Sequence, residues 1–298
     1  MPHQLPSRRR VLAAGTLGLA ATAATAPGTT ASAAASVATA PSGAGSGRFT
    51  GKVVLITGAT SGIGEATARA MARAGARVFF CGRREQLGRH VAAGIRAAGG
   101  EATFLRADVR RESEVRDLVR ACVSRYGRLD VAVNNAGVES PRAARLHEQS
   151  LMDMENVWRT NAGGVFLGMK YEIPQMLAQG GGVIVNTASI SAEVGFGTIA
   201  PYNASKHAVA SLTKVAALEY AADNIRVNAF APGAVDTPML RRAAEAFGMT
   251  YEEIARDYPI GRIVRAEEMA SVVMWLSSDE AGAMVGTDID ASGGYLTG

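Results

Sequence analysis

Cysteine and histidine are scarce in this 298-residue chain, which contains two Cys and four His. Cys81 and Cys122 are far apart and the histidines are scattered, so we expect neither a metal site nor a disulfide framework. The formal net charge is only +4 and no basic stripe is visible, which argues against nucleic-acid binding. No apolar run reaches the roughly 20 residues that a membrane-spanning helix needs, so we expect no stable membrane insertion.

The first 47 residues differ in composition from the rest of the chain. Their only charged side chains are the arginines at positions 8–10, and Ala, Thr, Gly, Ser and Pro dominate elsewhere. Residues 7–12 resemble a twin-arginine export signal, and small-residue sites suited to cleavage follow. We therefore expect a signal peptide over residues 1–35, a flexible linker over 36–48, and export to the periplasm or the extracellular medium. A cytoplasmic protein with a compositionally biased, disordered extension is the alternative.

Beyond this leader, apolar runs of strand length alternate with segments of helical length. The strand candidates are nearly continuous apolar runs, as expected for strands that are buried on both faces of a parallel sheet. This alternation predicts a doubly wound, Rossmann-type α/β fold with a seven-stranded parallel sheet and right-handed crossovers. No boundary is visible within residues 49–298, so we predict a single domain there. The predicted strands cover residues 52–57, 77–81, 102–106, 129–134, 183–187, 226–230 and 286–290, and the predicted helices cover 62–74, 86–98, 112–126, 151–177 and 202–222.

A glycine-rich turn joins the first predicted strand to the first predicted helix. Gly58, Gly62 and Gly64 lack a Cβ, and Ser61 and Ile63 lie among them. Glycine permits a tight turn and lets a pyrophosphate approach the N–H groups at the start of a helix. The strand-before, helix-after context therefore favours a phosphate cradle, although α/β turns also use glycine for structural reasons alone.

Tyr202 and Lys206 are four residues apart on a predicted helix, so both side chains should project from one face. A free tyrosine titrates at a pKa of about 10, too high for it to lose a proton at neutral pH. A neighbouring ammonium favours the phenolate, and lowering the phenol pKa by about three units requires roughly 4 kcal/mol. The pair therefore predicts a general acid/base in which Lys206 lowers the pKa of Tyr202.

Four motifs, in this order along the chain, resemble those of the short-chain dehydrogenase/reductase family. They are the segment at residues 57–64, the Asn-Asn-Ala-Gly segment at 134–137, Tyr202-x-x-x-Lys206, and Pro232-Gly233. The resemblance extends from about residue 51 to the C-terminus. It implies a nicotinamide-dependent oxidoreductase that transfers a hydride between its cofactor and an alcohol or ketone, with Tyr202 as general acid in reduction and general base in oxidation.

The resemblance also implies roles for residues around this pair. Ser189 matches the serine that holds the substrate oxygen, and Asn161 matches the asparagine that positions a relay water. Lys206 would also hold the ribose hydroxyls of the cofactor. Read alone, Asn161 could instead be a polar residue whose hydrogen bonds are satisfied locally within its helix.

Five further positions match residues that contact the dinucleotide in this family. Asp108 and Val109 match the adenine-contacting pair, and Asn135 matches a residue on the ribose side. The backbone of Val235 and the hydroxyl of Thr237 match the groups that hold the carboxamide. Asp108 could alternatively be the N-cap of the following helix.

The end of the second strand indicates which nicotinamide dinucleotide is preferred. By the family pattern Gly82 occupies the position of an acidic residue that accepts hydrogen bonds from the ribose 2′-OH, and Arg83 and Arg84 follow it. A guanidinium pairs well with a phosphate dianion, so we expect NADP(H) to be favoured over NAD(H). The alternative is a pair of solvated arginines at a helix start.

Residues 238–262 should form a substrate lid. Leu240, Phe247, Met249 and Tyr258 give it apolar character, which suggests a moderately hydrophobic alcohol or ketone, unless these side chains only anchor the lid to the core.

Two of the predicted helices, at 151–177 and 202–222, commonly form a four-helix dimer contact in the family, so we expect a homotetramer. The small side chains behind this expectation could instead pack internally; they are Ala208, Ala210, Ala216 and Ala217.

Two other functions fit a fold of this kind. A family member that keeps the nucleotide could serve as a sensor or scaffold, but such proteins usually lose the Tyr or the Lys, and both remain here. A dehydratase or epimerase on an extended variant of the fold would carry Gly-x-x-Gly-x-x-Gly in a longer chain, and that pattern is absent.

Overall fold

The computed structural model describes residues 47–297. The predicted signal peptide and residues 36–46 of the predicted linker lie outside these residues. The elements in chain order are β1 (Val53–Ile56), α1 (Gly62–Arg73), β2 (Arg77–Gly82), α2 (Glu85–Ala97), β3 (Glu101–Arg106), α3 (Glu112–Tyr126), β4 (Val131–Asn134), α4 (Leu151–Ala178), β5 (Gly182–Thr187), α5 (Ala200–Tyr220), β6 (Ile225–Pro232), β7 (Val235–Asp236), α6 (Pro238–Phe247), α7 (Tyr251–Arg256), β8 (Val264–Arg265), α8 (Ala266–Leu276) and β9 (Asp288–Ala291).

Seven of the strands form one sheet in the order β3-β2-β1-β4-β5-β6-β9, and every neighbouring pair is parallel. This confirms the predicted doubly wound α/β fold with a seven-stranded parallel sheet. The two remaining short strands, β7 and β8, pair with each other beside the sheet.

The apolar strands divide the core into two layers, one on each face of the sheet. In β1 the side chains of Val54 and Ile56 pack with residues of α1, α2 and α8, whereas Val53 and Leu55 pack with residues of α3, α4 and α5. Successive side chains of a strand point to opposite faces, so a continuous apolar run can fill both layers. The same alternation places Phe80 in the first layer and Phe79 in the second.

The strand order reverses between β1 and β4. From β1 the chain adds β2 and β3 towards one edge of the sheet, and from β4 it adds β5, β6 and β9 towards the other. At the carboxyl ends of these strands the backbone N–H groups of Asn135 and Ala136 donate to Oγ1 of Thr57, at 3.0 and 3.1 Å. In open parallel sheets a crevice forms outside the carboxyl ends at such a switch point. The fold therefore places a ligand-sized opening beside the glycine-rich turn.

Two parts of the structure depart from the predicted elements. The seventh strand begins at Asp288 rather than at residue 286, because Gly286 adopts φ +72° in the turn that precedes it. Helix α8 and the β7–β8 pair were not predicted. Helix α8 packs against α1 and starts with a capping interaction in which the backbone N–H of Arg265 donates to Glu268 at 2.9 Å.

The small residues of α5 pack within the protomer. Ala210, Ala216 and Ala217 are buried in the core layer that α5 shares with α4, so internal packing explains them and they give no support to an intersubunit contact. Among residues 47–297, no helix is both long enough and apolar enough to cross a membrane.

Candidate active site

A cleft of about 960 Å³ opens at the carboxyl ends of the central strands, beneath α6 and α7. It is bounded by the glycine-rich turn, by the loops that follow β2 to β5, and by the lid. Of the predicted site residues, those that line it are Gly58, Ser61, Gly62, Ile63, Arg83, Arg84, Asp108, Val109, Asn135, Ser189, Tyr202, Lys206, Val235 and Thr237. Gly64 and Asn161 lie behind the lining residues, so the structure brings fourteen of the sixteen predicted positions to one surface.

The three glycines of the turn are required for different reasons. Gly58 and Gly62 adopt φ +71° and +59°, a conformation that glycine reaches without strain. At position 64 glycine is required because neighbouring atoms approach closely: a Cβ there would lie 2.7 Å from the carbonyl oxygen of Gly58 and 2.5 Å from Nδ2 of Asn135. Asn135 in turn donates from Nδ2 to the carbonyl of Thr57 at 3.0 Å, which ties the turn to the end of β4.

The start of α1 suits a dinucleotide pyrophosphate. Ser61 is the N-cap residue, but its side chain makes no capping hydrogen bond and instead accepts one from Nη2 of Arg84 at 2.6 Å. The first backbone N–H groups of a helix have no partner within the helix, and Ser61, Gly62 and Ile63 line the cleft. These donors and the positive end of the helix dipole therefore fit a phosphate group.

Tyr202 and Lys206 lie close together, as their spacing predicted. Helix α5 begins at Ala200 with Pro201 in its first turn, where a missing N–H costs nothing, so Tyr202 lies in the first turn and Lys206 one turn further along. Nζ of Lys206 lies 5.6 Å from the centre of the Tyr202 ring. It also donates to the carbonyl of Thr187, at the end of β5, at 2.7 Å. The ammonium is thus held over the ring by the sheet.

The predicted effect of Lys206 on the phenol is not found in the protein alone. Burial raises the pKa of Tyr202, hydrogen bonding with Ser189 opposes that rise, and the charge of Glu139 adds to it. Lys206 is not among the causes that shift this pKa, and its own ammonium bonds to Thr187 rather than to the phenol oxygen. Tyr202 is therefore neutral at neutral pH.

Lys206 is itself strongly perturbed. Burial lowers the pKa of Lys206 to about 8, and the charge of Asp288 acts in the opposite direction. Asp288 stands at the start of β9, and burial raises the pKa of its carboxyl to about 7. Neither carboxylate oxygen of Asp288 has a hydrogen-bond partner among residues 47–297. Lys206 in the cleft and Asp288 behind it therefore both change protonation near neutral pH.

Asn161 is buried in α4 and links two other parts of the chain. Its Oδ1 accepts from the backbone N–H of Val138 at 2.8 Å, and its Nδ2 donates to the carbonyl of Val138 and to Oγ of Ser205, each at 3.0 Å. These partners are 23 and 44 residues away, so the local interpretation of Asn161 is wrong. The side chain fixes the loop after β4 against α5, directly behind Gly137.

The cleft wall after β2 carries the two arginines. Arg84 donates to Oγ1 of Thr60 through Nη2 at 2.8 Å and to Ser61 as described, while Arg83 is exposed. Partial burial, together with repulsion from Arg242 and Arg83, lowers the pKa of Arg84. Three cations thus surround this end of the cleft, which is consistent with an anion site.

Gly82 has no room for a side chain in this arrangement. A Cβ at this position would lie 2.6 Å from Cγ2 of Thr60, which is closer than real Cβ contacts come. Thr60 therefore occupies the space that an acidic side chain at position 82 would need. Its contact with Gly82 could not be predicted from the sequence, since the two residues are 22 positions apart.

Asp108 is not the N-cap of α3, because that position belongs to Arg111. Its carboxylate accepts from Nη2 of Arg110 at 2.6 Å and from the backbone N–H of Arg110 at 3.1 Å. Burial alone would raise the pKa of Asp108, but the hydrogen bonds and charge of Arg110 hold it below its usual value. Asp108 therefore remains ionised at the wall of the cleft, beside Val109.

Several cleft residues were missed by sequence reasoning. Glu139 and Arg242 form a two-point ion pair between the loop after β4 and the lid, with Nε to Oε1 at 2.8 Å, although they are 103 residues apart. Ser140 and Thr187 line the cleft with hydroxyl groups that have no partner within the described residues. Of these, only Glu139 and Ser140, just after the Asn-Asn-Ala-Gly motif, stood where a sequence signal could have drawn attention.

Three of the four predicted apolar lid residues face the cleft. Leu240, Phe247 and Tyr258 line it, whereas Met249 does not and is 41% exposed. Tyr258 is largely buried, and burial raises the pKa of its phenol to about 12, so it is a neutral, mainly apolar wall element. The inner surface of the lid therefore suits an apolar substrate.

Comparison with known proteins agrees with this geometry. A family model described as enoyl-(acyl carrier protein) reductase matches residues 58–296. Cyclohexanol dehydrogenase of Acinetobacter sp. (strain SE19) is 40% identical over 252 residues, which are 85% of this chain and 98% of that protein. Cis-4-hydroxycyclohexanecarboxylate dehydrogenase of Sinomonas cyclohexanicum is 41% identical over 247 residues, 83% of this chain and 97% of that protein.

A solved structure gives the same answer for the fold. The crystal structure of levodione reductase is similar with a TM-score of 0.80 and 36% identity, over 83% of this chain and 98% of that one. Residues 58–296, which the family model matches, contain the glycine-rich turn, the Tyr202–Lys206 pair and the lid. From the ordered motifs, the cleft that brings them together and these relatives, it follows that the chain belongs to the short-chain dehydrogenase/reductase family and is an NAD(P)-dependent oxidoreductase of alcohols and ketones.

Proposed function

We propose that this enzyme interconverts a secondary alcohol on an alicyclic ring and the corresponding ketone, with NADP(H) preferred over NAD(H). The observation that carries the proposal is the meeting of Tyr202, Ser189 and Lys206 in the cleft that also contains the glycine-rich turn and Arg83 and Arg84. Two relatives at about 40% identity are named for substrates with a six-membered carbocycle. The apolar inner surface of the lid suits such a ring.

The residues divide the chemistry among them as follows. A bound nicotinamide supplies or accepts the hydride. The hydroxyls of Ser189 and Tyr202 hold the substrate oxygen between them, and Tyr202 donates its proton as a ketone is reduced or accepts one as an alcohol is oxidised. Lys206 stabilises the phenolate when it forms, and its contact with Thr187 fixes its position. Asn161 holds the loop at Val138 against the start of α5. Its proposed further role is to position a relay water.

The raised pKa of Tyr202 has a direct consequence for this scheme. In the protein alone the phenol is protonated at neutral pH, which is the form required to protonate the oxygen of a ketone. Oxidation requires the phenolate, so we expect oxidation to gain speed as the pH rises. The substrate-positioning bond from Ser189 already favours the phenolate and opposes burial.

Replacing Tyr202 with Phe tests the catalytic assignment. The variant keeps the ring that packs beneath Lys206 and loses the hydroxyl with its transferable proton, so we expect turnover to fall by about 10²- to 10⁴-fold. Binding of NADPH, followed by protein fluorescence, should stay near the wild-type value. Turnover by Tyr202→Phe at the wild-type rate would contradict the proposal.

The arginines carry the cofactor preference. Arg84 is already oriented by Thr60 and Ser61, and Arg83 is exposed at the same end of the cleft, so both can reach a 2′-phosphate without displacing a protein anion. Replacing either with Ala should weaken NADPH binding by about 10- to 150-fold, since a charge-assisted hydrogen bond contributes about 1.5–3 kcal/mol. NADH binding should change little. Arg89→Ala, which alters an exposed arginine within α2, is the matched control. A wild-type protein that strongly prefers NADH would overturn the preference.

Export is the proposed destination of the protein. Residues 7–12 support it, since the twin-arginine route carries folded proteins and an enzyme of this family can acquire its cofactor before export. Free nicotinamide dinucleotide is scarce outside the cell, so the exported enzyme must hold its cofactor tightly. Fractionation of cells expressing the full chain should find the wild type outside the cytoplasm and the Arg8→Lys/Arg9→Lys variant inside it. Intact wild-type leader on protein confined to the cytoplasm would refute export.

A homotetramer is the proposed assembly. The support comes from large apolar side chains on the outer faces of α4 and α5, among them Phe166, which is 50% exposed, and Leu218, which is 86% exposed. Leu218→Glu should shift the mass found by light scattering towards smaller species. Leu87→Glu, a change of an exposed leucine on α2, should leave the mass unchanged. A monomeric wild type would contradict this assembly.

A further inference from the structure

The C-terminal segment after β9 packs against the end of the lid. The backbone N–H of Ile260 donates to the carbonyl of Gly293 at 3.1 Å. Gly293 and Gly294 both adopt positive φ, +72° and +91°, and a Cβ on Gly293 would lie only 2.7 Å from Cγ2 of Ile260. The two glycines therefore allow an approach that brings the next residue, Tyr295, to the lid.

Tyr295 contacts two aromatic rings that line the cleft. Its ring centre lies 5.6 Å from that of Phe196, with an interplanar angle of 37°, and 5.1 Å from that of Tyr258, with an angle of 44°. Phe196 and Tyr258 face the cleft together with Tyr202, whereas Tyr295 is not part of the cleft surface. Within residues 47–297 no direct aromatic pair joins Phe196 and Tyr258, so Tyr295 is the ring that links them.

Each of the two cleft rings also belongs to a segment with its own contacts in the fold. The loop that carries Phe196 is fixed to α5 because Nδ2 of Asn203 donates to the carbonyl of Phe196 at 2.6 Å. The same loop places Thr198 at φ +69°, an unfavourable conformation for a β-branched residue, and the backbone N–H of Ala144 donates to its carbonyl at 3.1 Å. Loops that hold such strain need support from their surroundings.

Tyr258 contacts the segment that follows β6. Its ring lies against Gly233, where a Cβ would come within 2.5 Å of Cε1, and the backbone of Ala234 opposes the rise in the pKa of its phenol that burial causes. The segment after β6 thus fixes one edge of the ring. Tyr295 contacts the ring as well and connects it to the loop of Phe196.

We propose that Tyr295 is a positioning residue for substrate specificity, which sets Phe196 and Tyr258 as an aromatic wall against the ring of an alicyclic substrate. This inference rests on the proposed function. A rigid ring substrate depends on the relative placement of the two aromatic side chains, because it must contact both at once. A flexible open-chain alcohol can adapt to either ring alone and depends on that placement much less.

The test compares Tyr295→Ala, Tyr295→Phe and the wild type with cyclohexanol and with 2-hexanol at saturating cofactor. Tyr295→Ala should raise KM for cyclohexanol about tenfold, corresponding to about 1.4 kcal/mol, with kcat unchanged. KM for 2-hexanol should change by less than about twofold, well below that tenfold step. Tyr295→Phe should behave as the wild type, since the ring contacts remain. Thr297→Ser, an exposed change two residues further along the same tail that keeps the hydroxyl bonded to the carbonyl of Gly294, is the matched control and should have no effect.

A second measurement decides the inference without substrate. Amide hydrogen exchange of the loop carrying Phe196 and of the segment around Tyr258 should be faster in Tyr295→Ala and unchanged in Tyr295→Phe and Thr297→Ser. Unchanged exchange in Tyr295→Ala, or equal effects on both alcohols, would overturn the positioning role. A wild type that binds NADPH but oxidises neither alcohol would instead overturn the proposed substrate class, while the exchange result would still decide the role of Tyr295.

Discussion

An acidic residue at the end of β2 should be incompatible with Thr60, and this can be tested with two substitutions. Gly82→Asp places a Cβ where only 2.6 Å separates it from Cγ2 of Thr60, so one of the two must move. Adding volume to a packed site of this kind costs about 1–3 kcal/mol. For a domain of about 250 residues each kcal/mol lowers the melting temperature by about 2–4 °C, so the variant should melt about 2–12 °C below the wild type.

Thr60→Ser offers a matched relief of that clash. It removes Cγ2 and keeps the hydroxyl that accepts a hydrogen bond from Arg84. The oxygen of that hydroxyl lies 3.3 Å from the same Cβ position at Gly82. The double variant Gly82→Asp/Thr60→Ser should therefore recover most of the lost melting temperature. With the carboxylate accommodated, it should accept the ribose 2′-OH and repel a 2′-phosphate, so its cofactor preference should move from NADPH towards NADH.

Thermal denaturation and fluorescence titration with both cofactors provide the two measurements. Thr60→Ser alone should keep NADPH binding, because Arg84 retains its acceptor. If Gly82→Asp melts at the wild-type temperature, the space next to Thr60 exists and the steric argument is wrong. If the double variant recovers stability and still prefers NADPH, Arg83 and Arg84 determine the choice regardless of the residue at position 82.

Three further results are expected. Burial lowers the pKa of Lys206 to about 8 from 10.5 in the unfolded chain, so the unfolded state binds more protons between these pH values and the free energy of unfolding should rise with pH there. Urea denaturation should show that the wild type gains about 3 kcal/mol more over this pH range than Lys206→Met does. An equal pH dependence in the two proteins would refute the lowered pKa of Lys206. The charge of Glu139 raises the pKa of Tyr202, so Glu139→Gln should move the alkaline rise of kcat/KM for alcohol oxidation to lower pH, whereas Arg242→Gln, which frees that charge, should not. Asn161→Ala removes three hydrogen bonds between α4, α5 and the loop after β4, and because unpaired buried groups cost about 1–3 kcal/mol each, the melting temperature should fall even where NADPH binding remains.

Much of this fold could be predicted because its strongest determinants are local. The apolar run of β1 ends at a glycine-rich turn and that of β5 begins after one, and such continuous apolar runs favour strands in a sheet that is covered on both faces. The spacing of Tyr202 and Lys206 on a helix was sufficient to place both side chains on one face. Helix α8 was missed, since its mixture of Glu, Met and Val gives no start signal as clear as the glycine-rich turn before α1.

The electrostatics of the site could not be predicted because they depend on burial and on distant partners. Sequence spacing correctly placed an ammonium near the Tyr202 ring, but it could not show that the ammonium bonds to Thr187 or that Glu139 faces the same phenol. Both facts depend on strands and loops that meet only in the folded state. The same holds for Arg84, whose orientation is set by Thr60, 24 residues earlier in the chain.

The raised pKa of Tyr202 and the lowered pKa of Lys206 have one cause, which is burial beneath the lid and against the carboxyl ends of β4 and β5. Burial disfavours the charged form of each group, so the protein alone holds a neutral phenol next to an ammonium that is close to losing its proton. The neutral phenol therefore keeps a proton to donate, and the ammonium of Lys206 can replace that proton at little electrostatic cost near neutral pH. A phenol with a strongly depressed pKa would lack this property, because it would already be ionised and could not protonate a ketone oxygen. The burial that opposes the predicted phenolate thus equips the site for reduction, and the direction that the enzyme favours should depend on pH.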